Sequence, residues 1–297
     1  MGGRLEGRVA IVTGASRGLG RNMAELFAAE GAAVVVAARS EVQWDERLPG
    51  TIHEAVEAIR ARGGRALAIA CDVSIEADLE RLAEAAAEAF GPVDLLVNNA
   101  AITMPGGPGR APSAPKNGEK AASRSKPKFS TAVGGAPGIL EMSVGGFRRH
   151  FDAGLFAAYR LTQLVLPGMI ELGRGAILNI SSDAARRPPE GPYAGDVATT
   201  IAYGGNKIAM EHLTRNVAAQ VAKYGVTVNS LSPSAAIQTP GLAWLTGGAR
   251  PAVEVSEESF SEAALRLALA TPEQRTGWNA YSEDVLHPEL GRREWIG

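Results

Sequence analysis

The feature that most constrains this chain is a glycine-rich turn, Thr13-Gly14-Ala15-Ser16-Arg17-Gly18-Leu19-Gly20, set directly after the short apolar run Val9-Ala10-Ile11-Val12. That run is β-branched and apolar, and only a few residues long, which predicts a strand buried on both faces. Leu19, Met23, Leu26 and Phe27 then recur at helical spacing, and Gly31 is placed to end that helix. Glycines at such a junction let the main chain turn sharply and approach an anion with no Cβ in the way. The helix that follows aims unpaired N–H groups and its positive dipole end at the same point. A glycine pattern alone says little. Between a strand and a helix it predicts a cradle for a pyrophosphate.

The same alternation continues along the chain. Strands are expected at 34–38, 66–70 and 95–97, the last ending in Asn98-Asn99, with helices at 54–62 and 75–90 between them. Farther on, helices at 147–172 and 202–224 alternate with strands at 176–180 and 226–231. Strands apolar on both faces and separated by helices imply a parallel sheet covered on each side. Right-handed crossovers make that a doubly wound α/β fold of Rossmann type. At 297 residues, with no internal repeat, the whole of 1–297 reads as a single nucleotide-binding domain.

Two stretches break the rhythm. Residues 103–137 hold six prolines and six glycines and carry Arg110, Lys116, Lys120, Arg124, Lys126 and Lys128 against the single acid Glu119. This composition reads as a low-complexity, solvated insertion. Phe129 is the one aromatic among those cations, so nucleic-acid stacking has no support. Residues 183–200, rich in Pro, Gly and Arg, read as a loop over a site. Residues 241–270 are expected to hold the substrate-covering elements, with Trp244 and Leu245 as candidates for an apolar wall.

Charge and cysteine content narrow the classes of function. A net charge of −2 gives no global field for nucleic acid or an anionic membrane. One cysteine, Cys71, allows no internal disulfide and suits a reducing compartment. No uninterrupted apolar run reaches membrane-spanning length, and residues 1–8 lack a signal-peptide pattern, so a cytoplasmic protein is expected. His53, His150, His212 and His287 are scattered without metal-ligand spacing, and no metal is expected.

Five motifs fall in order at successive element ends: the glycine turn, Asp72-Val73, Asn98-Asn99-Ala100, Ser181-Ser182, and Tyr203 four residues before Lys207. Together they resemble the short-chain dehydrogenase/reductase family over nearly the whole chain. The resemblance implies a nicotinamide cofactor and interconversion of a carbonyl and an alcohol. It implies cofactor contacts from Gly14, Ser16, Arg17, Gly18, Leu19 and Gly20, with Asp72 and Val73 at the adenine and Asn98 and Ala100 along the path to the ribose. Thr239 is the candidate for the carboxamide. NAD-preferring relatives place an acid at the end of the second strand. Ala38 and Arg39 stand there instead, and Arg39 with Arg17 suits a 2′-phosphate, so NADP(H) is the expected cofactor.

Tyr203 and Lys207 share one helix face. A phenol with a pKa of about 10 is a poor base at neutral pH, and a nearby ammonium and an oxidised nicotinamide are expected to lower it. By resemblance Tyr203 moves the proton, Lys207 supports it and the nicotinamide ribose, and Ser182 holds the substrate oxygen, with Ser181 as the fallback. Twenty residues separate Ser182 from Tyr203, more than is usual, and Tyr193 in between lacks a lysine four residues on.

The chain departs from the family at Phe151-Asp152-Ala153-Gly154, where an asparagine is usual at the last position, at Ala101, and at Pro233-Ser234. The expected function is an NADP-dependent oxidoreductase acting on a small-molecule carbonyl or alcohol. The alternative is a catalytically weak NADP(H)-binding sensor or scaffold of the same fold. Family members commonly pair through their long helices, so a homodimer or homotetramer is expected.

Overall fold

The computed structural model describes residues 3–43, 45–102, 129–132, 137–193, 200–245, 247–249 and 254–290. Seven parallel strands form one sheet in the order β3-β2-β1-β4-β5-β6-β7. The strands are β1 (Val9–Thr13), β2 (Ala33–Ala38), β3 (Arg65–Ala70), β4 (Leu95–Asn98), β5 (Gly175–Ile180), β6 (Val226–Ser232) and β7 (Asn279–Tyr281). The helices are α1 (Gly18–Ala29), α2 (Ile52–Ala61), α3 (Glu76–Phe90), α4 (Val144–Phe151), α5 (Ala157–Glu171), α6 (Ile201–Val221), α7 (Pro240–Leu245), α8 (Glu257–Ala268) and α9 (Ser282–Leu286).

The central strands β1 and β2 are almost wholly apolar because both faces are covered. Along β1, Ala10 and Val12 face a core shared with Phe27, Ile59 and Phe260. Val9 and Ile11 face the opposite core, shared with Leu82, Leu161 and Val221. Thus α1, α2 and α8 cover one face, and α3, α5 and α6 the other. Local signals start and stop these helices. Thr51 and Glu54 form a reciprocal capping box at α2, and Ser256 caps α8. Gly31, at φ +95°, turns the chain out of α1 toward β2.

Two differences from the sequence reading concern the C-terminal third. β7 was not expected: it has three residues, too few for any periodicity. The back of the segment read as a substrate cover is instead the core helix α8, whose Phe260, Ala264, Leu265 and Leu267 are buried against α1 and the sheet. The basic residues 110–128 of the insertion lie outside the described residues. The helical run Val144–Glu171 is long and apolar enough, by length and composition alone, to cross a membrane. Its apolar side packs against β4, β5 and α3.

Candidate active site

Because all strands are parallel, the segments that leave their C-terminal ends gather along one edge of the sheet. Strand order reverses between β1 and β4, which opens a crevice there. The glycine turn leaves β1 at this point. Its glycines are required by close approach. A Cβ at position 20 would lie 2.4 Å from the Gly14 carbonyl oxygen, and one at position 14 would meet Asn99 Nδ2 at 2.9 Å. Gly14 and Gly18 also hold φ values of +66° and +54°, which side chains resist.

The turn is locked from β4. Thr13 Oγ1 accepts the N–H groups of Asn99 and Ala100 at 3.0 and 3.1 Å. Asn99 Nδ2 donates to the Thr13 carbonyl at 2.8 Å. Asn99 was not among the expected site residues, and the doubled asparagine was its signal: one side chain faces each way. Asn98 faces inward, donating to Asn179 Oδ1 at 2.9 Å, and Asn179 in turn donates to Thr214. The Asn98 side chain therefore holds β4 to β5.

Ser16 is buried in the turn. Arg17 donates to Ser40 Oγ at 3.0 Å and to the Gly50 carbonyl at 2.9 Å. Its guanidinium pKa is lowered by burial and by the charge of Arg39, so two cations converge at the end of β2. Such a pair, with Arg39 exposed, fits an added phosphate. Asp72 follows β3, accepting from the Ser74 N–H and hydroxyl at 3.0 and 2.7 Å, with Val73 buried beside it. Thr239 lies on the other side of the turn, its Cβ 3.3 Å from where a Cβ on Gly18 would stand. Its hydroxyl accepts the Leu242 N–H at 3.2 Å. The cradle, the paired arginines and Thr239 lie along one path that suits a dinucleotide phosphate.

Beyond the cradle, Ser182 follows β5. Its hydroxyl accepts the Ala184 N–H at 3.2 Å and is near enough to the Tyr203 phenol to lower its pKa. Ser181 points into the interior, donating to Glu211 at 2.7 Å. Gly204 has Ala184 O only 2.5 Å from where its Cβ would be. Glycine there lets the turn after β5 lie against α6, bringing Ser182 to Tyr203 despite the long intervening segment. Tyr193 is exposed.

Lys207 is buried, and its Nζ donates to the Ile180 carbonyl at 2.5 Å. Burial lowers its pKa to about 8, opposed by the charge of Glu211. The Tyr203 phenol is raised by burial, and the Ser182 hydroxyl pulls it back. The expected lowering by the ammonium is not found: Nζ lies 5.5 Å from the ring centroid and donates to the Ile180 carbonyl. His150, to which the sequence assigned no role, stands edge-on to Tyr203 with ring centroids 6.5 Å apart. No motif marks it; only the packing of α4 on α6 finds it.

A serine, a tyrosine and a buried lysine thus meet beside a glycine cradle at one sheet edge. A family model for short chain dehydrogenases matches residues 8–116 and 130–244. The chain belongs to the short-chain dehydrogenase/reductase family. Members are oxidoreductases that use a nicotinamide cofactor. Over 232 residues the chain is 32% identical to the 7alpha-hydroxysteroid dehydrogenase of Escherichia coli (strain K12), covering 78% of this chain and 72% of that protein. Over 285 residues it is 30% identical to (+)-borneol dehydrogenase 2 of Salvia officinalis, covering 96% and 82%. A solved 7 alpha-hydroxysteroid dehydrogenase, complexed with NADH and 7-oxo glycochenodeoxycholic acid, superimposes with a TM-score of 0.70 at 28% identity, covering 94% of this chain and 93% of that one.

Proposed function

We propose that this short-chain dehydrogenase/reductase is NADP-dependent and interconverts a carbonyl and an alcohol, with Tyr203 moving the proton. The observation that carries the proposal is the approach of the Ser182 hydroxyl to the Tyr203 phenol, on the helix that also carries the buried Lys207. The nicotinamide, when bound, supplies or accepts the hydride. Ser182 orients the substrate oxygen and stabilises charge developing on it. Tyr203, kept protonated by burial, gives its proton to that oxygen in the reducing direction. Lys207, as an ammonium, restores the tyrosine proton and binds the ribose hydroxyls.

Arg17 and Arg39 support NADP(H) over NAD(H), since a 2′-phosphate would relieve the repulsion of two converging cations. The Gly14 to Gly20 turn would hold the pyrophosphate, Asp72 and Val73 the adenine, Asn98 and Ala100 the adjoining path, and Thr239 the carboxamide. The relatives named for a hydroxysteroid and for borneol favour an alicyclic alcohol or ketone. Exposed Phe156, Tyr159 and Ile208 flank an apolar depression formed by Leu155, Ala209 and Leu213, and two copies would pair there to give a homodimer or homotetramer. A cytoplasmic location suits the single buried Cys71.

The test is a panel of alicyclic and linear ketones assayed for oxidation of NADPH and of NADH. The expected result is turnover with NADPH preferred. Tight NADPH binding with no turnover on any ketone would favour the sensor or scaffold reading instead.

A further inference from the structure

Position 154 is a glycine inside a π-helical turn, Asp152–Phe156, that joins α4 to α5. A widened turn of this kind disrupts the regular ladder, and main-chain groups freed in a buried place need partners from elsewhere. Asn206, only 2% exposed, provides one: its Oδ1 accepts the Leu155 N–H at 2.8 Å. A Cβ at position 154 would stand 2.1 Å from Asn206 Nδ2 and 2.6 Å from its Cγ. The Asn206 amide therefore fills the volume that any side chain at 154 would need. Asn206 precedes Lys207 directly and follows Tyr203 by three residues. Its Nδ2 and the Lys207 Nζ converge on Met210 Sδ, at 3.9 and 4.0 Å.

We propose that Asn206 is the positioning residue of this active site, supplying from α6 the amide that glycine at 154 lacks and pinning the widened turn against the helix that carries Tyr203 and Lys207. Glycine at 154 and asparagine at 206 then form one complementary pair. The role rests on the oxidoreductase reading above. It acts through Tyr203 and Lys207 and requires no contact with substrate. Losing the amide would orphan the Leu155 N–H and open a space beside Lys207. Water entering that space would weaken the burial that holds Lys207 near 8, so its titration would move up. The titratable groups that act on it are Tyr203 and Glu211 on α6; Arg186, on the turn after β5, pairs with Glu211, and His150, on α4, stands against Tyr203. None of them is altered in the variants below.

The experiment compares wild type, Asn206→Ser, Gly154→Asn, and the two substitutions combined. It measures kcat, KM for NADPH, the thermal midpoint, and Lys207 titration by NMR of ¹⁵N-labelled lysine. Asn206→Ser is expected to lower kcat roughly tenfold or more, to leave KM for NADPH within about twofold, and to raise the Lys207 titration. Gly154→Asn alone is expected to lower both kcat and the thermal midpoint, because its Cβ meets the Asn206 amide. In the combined variant kcat should return to within about threefold of wild type, with Lys207 again titrating near 8. Wild-type kcat and titration in Asn206→Ser would overturn the proposal, as would a combined variant no better than the worse single. If wild type turned over no carbonyl, the oxidoreductase reading would fall. The coupling in thermal midpoint and in Lys207 titration would still decide for or against Asn206.

Discussion

At Tyr203 and Lys207, burial works on both groups in opposite senses, raising the phenol and drawing the ammonium down to about 8. The phenol stays protonated across neutral pH, as a proton donor should. The lysine carries its charge below about 8 and loses it above. Reduction at saturating carbonyl is therefore expected to fall as pH rises through about 8, read from a pH–rate profile; a rate flat to pH 10 would contradict it. The arginines at the end of β2 give a second outcome. Arg39→Ala is expected to weaken NADPH binding roughly tenfold or more while leaving NADH nearly unchanged, measured by fluorescence titration. Equal losses for both cofactors would assign Arg39 to the adenosine and not to a phosphate.

The individual elements show what sequence can convey and where it stops. Strands β1, β2, β4 and β5 were legible because burial on both faces leaves short, mainly apolar runs, and the glycine turn because backbone crowding at Gly14 and Gly20 permits nothing larger. Tyr203, Lys207 and Ser182 were legible as a spaced pattern. The preference for Ser182 over Ser181 needed the structure, since Ser181 is committed to Glu211. Asn99, His150 and Asn206 were not legible as site residues, because their roles depend on which neighbour each side chain meets across elements. Helix α8 was misjudged as a cover for a similar reason: its apolar face reveals burial but not against what. Phe260, fully buried between α1 and the sheet, tests that placement. Phe260→Ala is expected to cost about 3–5 kcal/mol of unfolding free energy, measured by chemical denaturation. A loss under about 1 kcal/mol, typical of a surface change, would place α8 outside the core.

For the molecule as a whole, one parallel sheet sets both the site and the surface left for pairing. Every strand delivers its outgoing segment to the same edge, so groups as far apart in sequence as Gly14, Ser182 and Thr239 are delivered to one side of the sheet. Around α5 and α6, Phe156, Tyr159 and Ile208 stand exposed, a pattern that marks an interaction face. Ile208→Asp is expected to shift the protein to monomer in sedimentation velocity, and an unchanged oligomer would move the interface elsewhere. The central claim is that Tyr203 moves the proton at a site built to hold NADP(H). Its most direct measurement is NADPH-dependent ketone reduction by Tyr203→Phe, with NADPH affinity determined on the same sample. A fall in kcat of roughly a thousandfold or more, with NADPH affinity within about threefold of wild type, is the expected result. Turnover close to wild type would contradict it.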